Sequence, residues 1–154
     1  MTETFDPLKL DNQLCFPLYV CAKEVIRRYK PFLDELDLTY TQYITMMALW
    51  EHGSLSIKHL GEILYLDSGT LTPVVKSLEK KGYVVRERSH EDERVVNVTI
   101  TEKGKDLRSA ALCVPEKMSH CIDLSAEEAG TLYKILHKLA ENMGDDAVVI
   151  QEKS

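Results

Sequence analysis

The feature that most constrains this chain is a change of hydrophobic period at Gly82. Before it, Val74 to Lys81 repeats its apolar residues at helical spacing. After it, Tyr83 to Arg88 and Arg94 to Thr101 alternate with period two, and the polar run Ser89-His90-Glu91-Asp92-Glu93 joins them as the loop of a hairpin.

Two further helices are predicted upstream of that change. Thr39 and Gln42 form a capping-box pattern that opens the first, and Gly53 stops it. Ser56 opens the second, which runs through Ile63. The polar turn from Leu66 to Pro73 then leads into Val74 to Lys81. Pro73 is expected in the first turn, because an interior proline costs about 3 kcal/mol. Three short helices followed by a hairpin predict a winged helix-turn-helix.

Longer helices flank this unit. From Leu14 to Leu36, apolar positions Cys15, Leu18, Ala22, Val25, Tyr29, Phe32 and Leu36 alternate spacings of three and four, a seam of heptad period. Pro31 should kink or break this helix near its end. After the hairpin, a helix is expected from Glu102 to about His120, bent at Pro115. Ser125 and Glu128 form a second capping box, which opens a last helix to about Met143. The tail after Gly144 is expected to fray. The predicted fold class is therefore mainly α with a small β-hairpin wing. A winged helix-turn-helix over 37–104 stands between an N-terminal dimerisation helix (1–36) and C-terminal dimerisation helices (105–154). The long helices need something to pack against, either in the chain or on a partner subunit.

Composition narrows the function. The 154 residues are 44% hydrophobic and 29% charged, enough for a core. No apolar run of membrane-spanning length occurs, and Met1 to Leu10 has no signal-peptide core, so a cytosolic protein is expected. The four cysteines, Cys15, Cys21, Cys113 and Cys121, include no CxxC pair, so neither a structural zinc site nor any other cofactor is expected. A thiol peroxidase acting through Cys15 has little support, because nothing resembles a thioredoxin fold. The net charge of −6 is uneven: residues 68–90 carry +3, leaving −9 elsewhere. A DNA-binding face on an acidic body is consistent with this, since a duplex responds to the field within about 8 Å at physiological salt.

The segment from Asp67 to Lys81 sits where a recognition helix would. Ser68, Thr70 and Thr72 at its entry suit phosphate and base-edge contacts, or else simply cap the helix. Lys76, Arg86 and Arg88 add positive charge. At the hairpin tip, Asp92 can hold Arg94 by a local ion pair, so that the guanidinium enters a narrow minor groove. A solvated charged turn would read the same way.

These residues carry a resemblance. Leu66-Asp67-Ser68-Gly69-Thr70-Leu71-Thr72-Pro73, then Glu91-Asp92-Glu93-Arg94, then Thr101-Glu102-Lys103-Gly104 resemble the MarR family of bacterial regulators. Leu14-Cys15-Phe16 together with Leu38-Thr39-Tyr40 is similar to its organic hydroperoxide repressor branch. The resemblance spans about Gln13 to Leu139. It implies a homodimer that binds a pseudo-palindromic operator in double-stranded DNA, with an organic hydroperoxide or a low-molecular-weight thiol as effector.

The sensing residues follow. Cys15 is expected in the first helical turn, where unpaired N–H groups and the helix dipole favour thiolate, the form that attacks a peroxide. Tyr19 is one turn away. Tyr29 shares the seam but lies about 21 Å along the helix, so it can meet only a partner's Cys15. The resemblance makes Cys15 the peroxide-reactive residue and surrounds it with Tyr19, Tyr29 and Tyr40. It also implies one of two outcomes: a second cysteine, Cys121 or else Cys113, closes an inter-subunit disulfide, or a small external thiol pairs with the oxidised Cys15. Pro17 departs from the helix-compatible residue the resemblance implies. A repressor of the same fold released by a small apolar or phenolic ligand, without a redox switch, remains the alternative.

Overall fold

The computed structural model describes residues 4–152, with side chains described as far as Gly144. A short 3-10 turn, Leu10–Asn12, precedes α1 (Cys15–Asp34), α2 (Tyr40–His52), β1 (Ser54–Ser56), α3 (Ile57–Leu64) and α4 (Ser68–Lys80). The hairpin is β2 (Val84–Arg88) and β3 (Val96–Ile100), followed by α5 (Glu102–Ala111), α6 (Val114–Ser119) and α7 (Ala126–Glu152). The winged helix-turn-helix expected from the sequence is present in that order.

Local chemistry sets most boundaries. The Thr39–Gln42 capping box opens α2, with both reciprocal hydrogen bonds made. Gly53 closes it at φ 77, a backbone angle that disfavours any side chain. Asp67 caps α4 by accepting from Thr70 N at 2.8 Å. Ser125 and Glu128 cap α7 reciprocally at 2.8 and 3.2 Å.

Several boundaries differ from expectation. The Asp67 cap starts α4 at Ser68, so Pro73 falls in the second turn rather than the first. Its cost there is one unmade bond to the Gly69 carbonyl. Pro31 sits inside α1, which continues to Asp34. The helix expected from Glu102 to His120 is divided at Leu112-Cys113, and Pro115 opens α6, where its missing N–H costs little. α7 runs on to Glu152, past the stop expected near Met143. The tail after Gly144, expected to fray, is helical as far as Glu152.

Sequence periodicity also missed β1. Only three residues long, it pairs with β3 through Leu55↔Val98, giving an antiparallel sheet of order β1-β3-β2. The core lies between this sheet and α2, α3 and α4. Met46, Leu49, Leu60, Leu71, Val75, Leu78 and Val98 are wholly buried. Burying each such side chain contributes about 1.5–3 kcal/mol. Gly104 is fixed by packing, since a Cβ there would stand 2.2 Å from the Tyr83 carbonyl oxygen. That tight approach seats α5 beneath the hairpin, and the Gly104 carbonyl accepts from Trp50 Nε1 at 2.8 Å.

α1 rests on α2 and α6 through Leu33, Val114 and neighbours, leaving much of its length uncovered. Phe16, Leu18, Tyr19 and Ile26 are exposed, as are Leu132, Tyr133, Ile135 and Leu136 on α7. Among the described residues, no helix is long and apolar enough to cross a membrane.

Candidate nucleic-acid interface and sensing cysteine

Asp67 accepts from the Thr70 backbone and hydroxyl, at 2.8 and 3.1 Å. Those bonds hold its carboxyl below the usual carboxylate range. Asp67 is therefore a cap. Ser68, Thr70 and Lys76 are exposed on α4 and Thr72 is half-buried. Leu71, Val75 and Leu78 turn inward, so a single helix offers an apolar face to the core and a hydroxyl-rich entry to solvent.

The hairpin cations divide into two kinds. Arg94 is open at the tip: Asp92 accepts from its backbone N at 3.0 Å, from Nε at 3.1 Å and from Nη2 at 3.2 Å. Those bonds, side chain first, lower the Asp92 pKa. The Arg94 side chain remains 89% exposed, so the pair orients the guanidinium without burying it. Arg86 is bound inward. Glu79 on α4 accepts its backbone N at 2.8 Å and its guanidinium at 3.4 Å. Arg88 donates to the Glu93 carbonyl at 3.1 Å. Arg86 thus joins the helix to the wing, a role that its charge alone did not suggest.

Cys15 is the first residue of α1 and is exposed. Leu14 precedes it without a side-chain cap. The N–H groups of Cys15 and Phe16 therefore lack intrahelical acceptors, and Pro17 has no N–H to pair. The expected first-turn position holds. Tyr19 is 62% exposed, and its ring carries the Lys23 ammonium 5.5 Å from the centroid. Among the described residues, no hydrogen bond reaches the Cys15 sulfur.

Tyr29 and Tyr40 stand elsewhere. Their ring centroids are 5.0 Å apart, and Tyr43, which the sequence reading left out, lies 5.8 Å from Tyr29 and 6.4 Å from Tyr40. Tyr43 follows Tyr40 by three residues, a helical spacing that could have marked it. Burial, then Tyr40, then Tyr43 push the Tyr29 phenol up to about 12. Burial also raises Tyr40 and Tyr43, and Cys113 is among the neighbours that raise Tyr43. These phenols stay neutral, and able to donate, at physiological pH.

Cys121 lies just beyond α6, and its carbonyl accepts from Arg28 Nη1 at 3.1 Å. The Arg28 backbone lies about 20 Å along α1 from Cys15, so Cys121 stands well away from that thiol. Cysteines so far apart cannot bridge within one chain, because a disulfide needs Cα atoms within about 7 Å. One end of α1 thus holds Cys15. The other carries the cluster of Tyr29, Tyr40 and Tyr43, with Cys121 bonded to Arg28 of the same helix.

Residues 27–110 match the family described as transcriptional regulator SarA/Rot. The organic hydroperoxide resistance transcriptional regulator of Bacillus subtilis is 45% identical, over 93% of this chain and 97% of its own length. The reduced AbfR of Staphylococcus epidermidis, solved bound to DNA, is 32% identical with a TM-score of 0.75, over 88% of this chain and 93% of that one. AbfR in its disulfide form is 33% identical with a TM-score of 0.60, over 92% and 93% of the two chains. The chain belongs to the MarR-like winged-helix transcriptional regulators, in the branch of the organic hydroperoxide resistance regulator.

Proposed function

We propose that this chain is a homodimeric DNA-binding repressor released from its operator when Cys15 is oxidised. The observation that carries the reading is the division along α1. Cys15 is exposed at one end, and toward the other lie the half-buried Tyr29 and Tyr40, the buried Tyr43, and Cys121 bonded to Arg28. A two-fold partner whose α1 runs antiparallel would bring Cys15 of one subunit to the far end of the other's helix. The exposed apolar residues of α1 and α7 supply the surface for that partner. α1 with α5–α7 then forms the dimer body, and α2 to β3 form the DNA-binding lobe. In that arrangement the two recognition helices enter major grooves about one helical turn apart. Ser68, Thr70, Thr72 and Lys76 face the groove, Arg94 reads the adjacent minor groove, and Asp67, Asp92, Arg86 and Arg88 position them.

The chemistry balances simply. The Cys15 thiolate attacks the distal oxygen of an organic hydroperoxide. The O–O bond breaks, the alkoxide leaves as the alcohol after taking a proton, and sulfur becomes sulfenic acid. Condensation with a thiol, that of Cys121 from the partner or an external low-molecular-weight one, forms a disulfide and releases water. The names of the relatives support an organic hydroperoxide as oxidant and a disulfide as product.

The test is a mobility shift on an operator fragment, comparing reduced, cumene hydroperoxide-treated and re-reduced protein. Oxidation should release the DNA and reduction should restore binding. Cys15→Ser should bind DNA and ignore the oxidant. Release of Cys15→Ser by peroxide would overturn the redox reading.

A second reading has one observation behind it. A cleft of about 260 Å³ lies between α1 and α2, walled by Ile26, Leu33, Leu38 and Tyr40, with Arg27 and Lys30 at its edge. A phenolic or apolar acid would suit it. Release of Cys15→Ser by such a ligand, with no response of the wild type to peroxide, would favour that reading.

A further inference from the structure

Lys81 caps the C-terminal end of α4 and reaches the corner where α1 turns into α2. Its ammonium donates to the Asp37 carbonyl, donates to Gln42 Oε1 at 3.2 Å, and stands 3.4 Å from the Asp37 carboxylate. Gln42, only 6% exposed, completes the junction. Its Oε1 also accepts from Thr39 N at 3.0 Å, and its Nε2 donates to Ser77 Oγ of α4 at 2.9 Å. Two side-chain links, from Ser77 and Lys81, thus tie the recognition helix to the end of α1 and the start of α2. Lys103 of α5 joins the same point from the other side, donating to the Lys81 carbonyl at 2.7 Å.

The Asp37 carbonyl is held where Lys81 can take it. Asp37 lies in the left-handed region at φ 53, and beyond it Leu38 N donates back to the Leu33 carbonyl at 3.0 Å, closing α1. That conformation is costly for a residue other than glycine and persists because its surroundings hold it. Leu33 and Leu38, both buried, anchor the corner from inside.

We propose that Lys81 is a positioning residue for DNA binding, setting the angle of α4 against α1 so that a rearrangement of α1 reaches the recognition helix. This rests on the reading of the chain as a repressor released by Cys15 oxidation. α1 spans about 30 Å as one helix, with Cys15 at its start and Asp37 just past its end. A displacement at the Cys15 end therefore tilts the corner that Lys81 holds. The charge of Lys81 is therefore directed at this corner, although in the sequence it is only one of the cations of the +3 stretch 68–90.

Lys81→Met keeps the length of the stem and removes its N–H donors. The measurements are operator Kd for reduced and peroxide-oxidised protein, the rate of Cys15 sulfenic-acid trapping, and the thermal midpoint. Trapping should match wild type and the melt should stay cooperative, while the oxidised-to-reduced Kd ratio shrinks by about fivefold or more. Lys81→Arg, which keeps donors at similar reach, should restore the wild-type ratio. A wild-type ratio in Lys81→Met overturns the proposal. So does an equal rise in both Kd values with a salt slope lower by about one, the mark of a lost phosphate contact. If Lys81→Met loses its cooperative melt, Ser77→Ala cuts only the Gln42 link and must itself shrink the ratio by about twofold, or the proposal fails. A wild-type control whose affinity ignores oxidation overturns the repressor reading separately, and this proposal with it.

Discussion

Glu79 of the recognition helix and Arg86 of the first wing strand share three hydrogen bonds, one from the Arg86 backbone at 2.8 Å and two from its guanidinium at 3.4 Å. The wing is therefore fastened to the recognition helix by a carboxylate that itself disfavours DNA.

That conflict yields a prediction of sign. If Glu79 acted only through its charge, Glu79→Ala would tighten binding to a polyanion. Because it orients the wing, Glu79→Ala should instead weaken operator binding, measured by fluorescence anisotropy at fixed salt. The hydrogen bonds from Arg86 hold the Glu79 carboxyl below the ordinary 4.5. Its folded value lies below its unfolded one, so its stabilising contribution is complete above about pH 4.5 and is lost as pH falls through the lower folded value. Glu79→Ala should therefore flatten the acid limb of the stability profile.

At the wing tip, Arg94→Ala should weaken operator binding by about 1–3 kcal/mol and leave the thermal midpoint unchanged, because the side chain is almost fully exposed. Asp92→Ala should weaken binding as well, although it removes a negative charge, because it frees the guanidinium. Unaltered affinity in Arg94→Ala would reduce the wing to a solvated turn.

Tyr29→Phe removes a donor and little volume. The dimer should remain folded, and sulfenic-acid trapping at Cys15 should slow. Tyrosinate absorbance offers a second check. Tyr29 should ionise near pH 12 in the folded protein instead of near 10.0. A folded pKa above the unfolded one stabilises fully below pH 10.0 and loses that contribution as pH rises toward 12. Tyr29→Phe should abolish that part of the alkaline loss.

Cys121 is expected to resolve oxidised Cys15 of the partner. Peroxide should produce a covalent dimer on non-reducing gels, absent in both Cys15→Ser and Cys121→Ser. Persistence in Cys121→Ser with loss in Cys113→Ser would transfer the role to Cys113, which lies beside Tyr43. Absence of any covalent dimer would point to an external thiol.

The sequence alone determined the succession of the main helices and the hairpin and most of their ends, because those rest on neighbours a few residues apart. The capping pairs Thr39–Gln42 and Ser125–Glu128 and the stop at Gly53 depend on short-range hydrogen bonds and one backbone angle. The Asp92–Arg94 pair was legible for the same reason. Tertiary structure decided whatever depends on long-range partners. β1 is too short to show a period and exists because β3 offers it a ladder. Pro73 is tolerated in the second turn of α4 because Leu71, Val75 and Leu78 bury that helix. In the sequence, Arg86 and Lys81 are simply two of the cations in the positively charged stretch 68–90. Only folding set them against Glu79, Asp37 and Gln42, since a charge in the sequence does not specify which distant carbonyl or carboxylate will accept its hydrogen bonds.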